Sequence, residues 1–210
     1  GSLSPDDTDA LNGIIQQTRD TELTELEQQL PTFKALFSYR WAIARLNNSV
    51  ADRRLGELQT EFASLSIDKA LASAWRATDI VKLLPKTYQQ NEDVIPGLFV
   101  LGLGKLGGYD LNFSSDVDLI AFYDAEQLPI ASVHGRSDVC NRVLKKMTQL
   151  LGKIVNGHNV WRVDWRLRPN ASTMSLCMTT DIAEDYFFFH SLPWQRPVSY
   201  THLTLPTILP

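Results

Sequence analysis

The sequence predicts an α+β fold, a helical region followed by a segment in which short strands and helices mix. Three observations predict it. Apolar residues recur at helical spacing through residues 33–84. Two apolar runs, residues 98–103 and 117–123, then read as buried strands. Residues 161–168 alternate strictly between apolar and polar side chains, the period of a half-buried strand.

Residues 1–30 hold seven acids against the single base Arg19, so this stretch reads as a solvated helix or a partly disordered end. Phe33, Leu36, Phe37, Trp41, Ala44 and Leu46 approximate one helical face. Asn47-Asn48-Ser49 is a break. Leu55, Leu58, Phe62 and Leu65 resume the helical spacing. Ser66 is expected to cap a third helix running toward Leu84, which Pro85 stops. Residues 87–96 are polar and read as a linker. After the two apolar strands, residues 133–155 form an amphipathic helix with Val139, Val143, Met147, Leu150 and Ile154 on its stripe, and Gly157 stops it. The alternating strand follows, then a short strand over 175–178 and a helix over 181–190.

The chain has 210 residues, 44% hydrophobic and 21% charged, which is ordinary for a folded protein. A net charge of −4 gives no support to broad nucleic-acid binding. No run of 18 apolar residues exists, so no membrane span is expected. The start, Gly-Ser-Leu-Ser-Pro, shows no signal peptide and reads as a fragment end. Two cysteines, Cys140 and Cys177, suggest no disulfide framework, and a cytoplasmic protein is expected. The four histidines are scattered and form no metal cluster with cysteine.

Chemistry is concentrated in Gly104-Lys105-Leu106-Gly107-Gly108-Tyr109-Asp110-Leu111-Asn112-Phe113-Ser114-Ser115-Asp116-Val117-Asp118. On a strand, residues two apart share a face, so Asp116 and Asp118 stand side by side while Val117 and Leu119 face the core. Adjacent carboxylates repel unless a cation joins them. Mg²⁺ is the expected cation, a hard ion held by carboxylates and substrate phosphates. Gly102, Gly104 and Gly107 also spell a dinucleotide fingerprint, with Asp124 near the position of its ribose-binding acid. A parallel crossover needs a dozen or more residues, and the short polar segment between Gly107 and Val117 does not supply them. A phosphate-binding loop of the G-x-x-x-x-G-K-[ST] kind is absent, because Leu106 follows Lys105.

Nucleotidyl transfer needs positioning and charge neutralisation, and two metal ions can clamp the attacking and leaving oxygens. Asp164 is the best third carboxylate. Arg162, Asp164, Arg166 and Arg168 share one face of their strand, an acid for metal among arginines for phosphate oxygens. The plain alternative is a salt-bridged surface strand. Gly107 and Gly108 allow a backbone to approach phosphate, and a following helical turn is expected to present free N–H groups. Ser114 and Ser115 are candidate phosphate contacts. Lys105 is either a phosphate ligand or a solvated lysine. Tyr109, Asp110, Glu184 and Asp185 read as surface residues.

These motifs, with Arg162-Val163-Asp164-Trp165-Arg166-Leu167-Arg168-Pro169 after them, resemble the bifunctional glutamine synthetase adenylyltransferase/adenylyl-removing enzymes over residues 98–196. The resemblance implies a DNA polymerase β-like nucleotidyltransferase core, a small mixed sheet with flanking helices, over residues 89–197, preceded by a helical region over 1–88. It implies Mg²⁺ on Asp116, Asp118 and Asp164, and the sequence does not choose between Mg²⁺ and Mn²⁺. The candidate nucleotide or phosphate contacts are Gly107, Gly108, Ser114, Ser115, Lys105, Arg166 and Arg168. One half of such enzymes attaches AMP from ATP to a tyrosine of glutamine synthetase. The other removes it with phosphate, releasing ADP, and the PII signal protein selects between them.

The loop Leu111-Asn112-Phe113-Ser114-Ser115-Asp116 is similar to that of the N-terminal, adenylyl-removing half. The expected function is therefore deadenylylation. ATP-dependent adenylylation of the same target is the first alternative, and a non-catalytic nucleotide-sensing module is the second. After Pro169 many members read Phe-Gly-x-Ser-Gly, whereas this chain has Asn170-Ala171-Ser172-Thr173-Met174, so no contact is carried over from that loop. Gln195 replaces the acid of the family's Trp-Glu-Arg segment. Residues 198–210 contain no Asp, Glu, Lys or Arg, resemble a translated sequencing adapter, and are expected to be a non-native tail.

Overall fold

The computed structural model describes residues 5–79, 84, 95–130, 133–155, 158–168 and 175–185. The polar linker before residue 95, Gly157, the loop 169–174, the aromatic run 186–189 and the tail 198–210 lie outside the described residues.

Three helices come first, α1 (Pro5–Asp20), α2 (Leu26–Leu46) and α3 (Asp52–Arg76). The expectation of a solvated or disordered start is corrected. Leu11, Ile14 and Ile15, at i, i+3 and i+4, are buried, and α1 packs on α2 and α3. Acids predominate in its sequence, but the apolar stripe decides its placement. On α2, Phe37 and Ala44 are buried as expected, whereas Leu36 and Leu46 stay exposed and Leu26 and Leu30 take up the core positions.

The expected break falls between α2 and α3. Asn48 adopts φ 49°, its N–H donates to Arg45 O at 3.3 Å, and Ser49 N–H donates to Ala44 O at 3.0 Å. This is a Schellman closure with asparagine at the left-handed position, where it is tolerated. The expected cap at Ser66 is not formed. Its buried hydroxyl donates to Phe62 O at 2.7 Å, so α3 runs through it, and it ends at Arg76 well before Leu84.

The sheet is small and mixed. Its central strand β2 (Val117–Tyr123) pairs antiparallel with β1 (Leu98–Gly102), Leu98 opposite Tyr123 and Gly102 opposite Leu119. The antiparallel pairing removes the dinucleotide βαβ unit. Asp124 instead closes the following turn, its Oδ1 accepting the N–H groups of Glu126 at 2.8 Å and Gln127 at 3.3 Å. Between β1 and β2 lies α4 (Gly104–Gly107), a single turn. After β2 come α5 (Val133–Gly152), a small hairpin of β3 (Ile154–Val155) and β4 (His158–Asn159), then β5 (Val163–Asp164), β6 (Cys177–Thr179) and α6 (Thr180–Asp185). Both β5 and β6 pair parallel with β2.

Two boundaries differ from expectation. α5 stops at Gly152, and Ile154, placed on its stripe by periodicity, is 72% exposed on the hairpin. The eight-residue strand at 161–168 shrinks to Val163–Asp164. Trp161 and Trp165 are buried and Arg162 and Arg166 exposed, so the alternation is real. Asp164 ends it by turning its carboxylate onto the Arg166 backbone N–H at 2.8 Å, a side-chain turn that competes with the ladder.

One hydrophobic cluster runs from Leu11 on α1 through α3 and α5 to Cys177 on β6, so the N-terminal helices and the sheet share a core. Phe37 and Phe62 stack within it, ring centroids 4.5 Å apart. Val117, Leu119, Ala121 and Tyr123 point into that cluster. Ile120 and Phe122 point to the opposite face, into a smaller cluster with Leu103, Met178 and Ala183. Asp116 and Asp118 share this second face by period two. No helix among the described residues is long and apolar enough to cross a membrane.

Candidate active site

The site is built where β1 ends. Leu103 donates its N–H to Asp118 O at 2.9 Å, carrying the ladder one residue past the strand. Gly104 then adopts φ +56°, and a Cβ there would stand 2.6 Å from Asp118 Oδ2. Only glycine lets the backbone pass the carboxylate this closely. Sequence reading missed Gly104 as a site residue. Its signal was present, a glycine two residues after Gly102 at a strand end, but it was absorbed into the dinucleotide pattern.

The single turn α4 precedes Gly108 rather than following it, which corrects the expected free N–H groups. Gly107 N–H donates to Leu103 O at 3.1 Å and Gly108 N–H to Gly104 O at 2.9 Å. The turn is closed by a second Schellman motif. Tyr109, φ 55°, donates to Leu106 O at 3.3 Å, and Asp110 donates to Lys105 O at 3.0 Å. Tyr109 and Asp110 are exposed, as are Glu184 and Asp185 on α6.

Asp118 and Asp164 are register partners across the parallel β2–β5 pair, and Asp116 lies two residues before Asp118. The Asp118 carboxyl is held above its ordinary range by burial first, then by the charges of Asp164 and Asp116, with Arg166 opposing. Asp164 moves the other way. Arg166 binds it through Nε, 3.0 and 2.8 Å from its two oxygens, and through Nη2, which draws the Asp164 carboxyl below its ordinary range. Arg162 donates through Nε to Asp116 Oδ1 and through Nη2 to Ser114 O at 2.9 Å. The two outer acids thus each carry an arginine from the 162–166 segment. No hydrogen-bond donor among the described residues reaches the carboxylate of Asp118.

As the side chains stand, no three His, Cys, Asp or Glu residues among those described are disposed to hold a metal ion. Asp116 and Asp164 are each paired with an arginine instead. The donor chemistry nevertheless fits a hard divalent cation, since Asp118 lies opposite Asp164 in the register and two residues after Asp116.

Ser114 and Ser115 line a cleft of about 490 Å³ together with Lys34, Asn159, Trp161 and Arg162. Asn112 O accepts the Ser115 N–H at 3.2 Å. Lys105 is exposed on α4. Arg168 donates through Nη1 to Trp165 O at 2.7 Å, turned back onto its own loop. Lys34 was also missed, since one lysine beside Phe33 on a helical stripe carries no motif.

The family model described as glutamate-ammonia ligase adenylyltransferase matches residues 5–198. Over 137 residues the chain is 34% identical to the bifunctional glutamine synthetase adenylyltransferase/adenylyl-removing enzyme of Caulobacter vibrioides, covering 65% of this chain and 14% of that protein. It is 28% identical to the protein of the same name from Methylococcus capsulatus over 199 residues, 93% of this chain and 19% of that one. A Bradyrhizobium relative of that name is 37% identical over 100 residues, 48% of this chain. The chain spans less than a fifth of the length of these relatives.

Proposed function

Because the chain belongs to the glutamate-ammonia ligase adenylyltransferase family, we propose that it removes AMP from adenylylated glutamine synthetase by phosphorolysis. The observation that carries a nucleotidyl-transfer site is the pairing of Asp118 with Asp164 across β2 and β5, with Asp116 beside them. An Asp-x-Asp on a central strand facing a third acid on its parallel neighbour supports the DNA polymerase β-like core over residues 89–197. Residues 1–88 are then a helical region that buttresses this core. The names of the relatives support glutamine synthetase as the protein substrate. The Asn112-Phe113-Ser114 element supports removal over addition.

In the proposed step an oxygen of inorganic phosphate attacks the adenylyl phosphorus. The bond from phosphorus to the tyrosine oxygen breaks. Tyrosine leaves with the electron pair and takes up a proton, and ADP is formed. Asp116, Asp118 and Asp164 would hold Mg²⁺ or Mn²⁺, which when bound neutralises phosphate charge. Arg162 and Arg166 keep the outer carboxylates in place and bring positive charge to the rim of the site, suited to phosphate oxygens. Ser114, Ser115, Lys105 and Arg168 are proposed phosphate or nucleotide contacts. Gly107 and Gly108 serve by leaving room, since their N–H groups are engaged inside the turn. PII is the proposed regulator. The buried free thiols of Cys140 and Cys177 accord with a cytoplasmic setting.

Following AMP on glutamine synthetase by intact mass tests the direction. Phosphate-dependent loss of AMP with release of ADP is expected. ATP-dependent gain would establish the adenylylating alternative instead.

A further inference from the structure

The cleft lined by Ser114 and Ser115 contains a lysine that the reaction described above does not use. Lys34 reaches from α2 until its Nζ lies 3.3 Å from the centroid of the Trp161 ring. That nitrogen is buried and has no hydrogen-bond partner among the described residues, and the same holds for Trp161 Nε1. Buried donors without acceptors are rare in folded proteins, because each forgoes its bonds to water. Here two belong to adjacent residues that line one cleft.

The cleft has a consistent electrostatic character. Among the described residues Lys34 and Arg162 are the charged members of its lining, and no acid lines it. The hydroxyls of Ser114 and Ser115 and the side-chain amide of Asn159 add donors. Arg162 connects the cleft to the carboxylates, since one guanidinium holds both Asp116 and Ser114 O. Ser115 immediately precedes Asp116 in the chain. A ligand in this cleft is therefore beside the three-aspartate site. What the lining lacks is an acceptor carrying negative charge.

We propose that this cleft is an oxyanion subsite for inorganic phosphate, with Lys34 as its cationic ligand supplied by the N-terminal helices. The choice of phosphate rests on the phosphorolytic function proposed above, whereas the oxyanion character rests on the lining alone. The Trp161 ring holds the Lys34 ammonium over its face. Burial brings the Lys34 ammonium down to a pKa of about 7. A bound dianion restores the lysine charge and offsets the cost of its burial.

Calorimetric titration of the 210-residue chain with inorganic phosphate, in a metal-free zwitterionic buffer, tests the subsite. Lys34→Met keeps the unbranched stem and removes the charge. It is expected to weaken phosphate binding roughly tenfold or more, the scale of a lost charged hydrogen bond. A second reading needs no variant. The Cε resonance of Lys34 in ¹³C-lysine-labelled chain should titrate at higher pH once phosphate is added. Unchanged phosphate affinity in Lys34→Met, or a Lys34 titration indifferent to phosphate, overturns the subsite. A titration moved by ADP or AMP but not by free phosphate overturns the assignment to inorganic phosphate and gives the cleft to a nucleotide phosphate.

Activity on adenylylated glutamine synthetase separates the two proposals. If the wild-type chain releases ADP and Lys34→Met leaves KM for phosphate unchanged, the subsite fails and the function stands. If phosphate binds through Lys34 but no AMP is released, the function fails and the subsite stands.

Discussion

Gly104 and Asp118 are in such close approach that a single added methyl group would lie 2.6 Å from the carboxylate oxygen Oδ2. The glycine also holds φ +56°, which costs other residues of order 1–3 kcal/mol. Gly104→Ala is therefore expected to lower stability by about that amount and to displace Asp118. AMP release should fall by roughly tenfold or more, since small misplacements of reacting groups are costly. Gly152→Ala, at the end of α5, is the control. An added Cβ there meets nothing within 4 Å, so a thermal melt and activity close to wild type are expected.

Asp118→Asn should separate activity from stability. The wild-type carboxylate is desolvated and faces two like charges, so neutralising it removes repulsion. The melting temperature is expected to hold or rise while AMP release falls by at least about a hundredfold. Asp164→Asn breaks a pair with the exposed Arg166, so its effect on stability should be small. Full activity in both variants would falsify the carboxylate assignment.

Arg162 occupies the Asp116 carboxylate, proposed above as a cation ligand, and holds Ser114 O as well. Arg162→Ala is expected to lower the Mg²⁺ concentration needed for half-maximal activity severalfold while reducing the maximal rate. A chelator should abolish activity, and added Mg²⁺ or Mn²⁺ should restore it. A half-saturation point that does not move in Arg162→Ala would show that the arginine does not guard the site.

Lys34 couples stability to pH. Its pKa in the folded chain, about 7, lies below the ordinary lysine value of 10.5, so between these the unfolded chain binds more protons than the native one. Stability from this group then rises with pH across that window, by at most about 1.4 kcal/mol per unit, and is least below pH 7. Lys34→Met should be more stable than wild type at pH 6 to 7, and the advantage should shrink toward pH 10. Urea unfolding in buffers without phosphate measures the difference. A constant advantage across the range would refute the linkage.

Tyr109 closes α4 from a left-handed conformation that an L-residue reaches at a cost of about 1–2 kcal/mol. Glycine gives back part of that gain through its unfolded-state entropy. Tyr109→Gly is expected to raise stability by roughly 0.5–1 kcal/mol, read from chemical denaturation.

Local pattern carried much of this protein. Period two on β2 placed Val117 and Leu119 in the core with Asp118 on the other face, because strand alternation needs no knowledge of neighbours. The Asn47-Asn48-Ser49 break was legible because asparagine tolerates the left-handed closure that ends α2. The buried stripe of α1 was hidden by its acids, since charge counts do not show which residues meet a partner helix. The turn at Asp164 was hidden because its side chain competes with the strand ladder its neighbours predict.

The sequence by itself determined the residues of the candidate site: three aspartates, the flanking arginines and the glycines before them, all in short motifs whose spacing is set by the backbone. Only the tertiary structure decided that Asp118 faces Asp164, that Gly104 is the glycine pressed against it, and that Lys34 lies on Trp161 beside Ser114 and Ser115. The physical reason is distance along the chain. Lys34 and Trp161 are brought together by one core shared between helices and sheet, and nothing in either local sequence encodes the other.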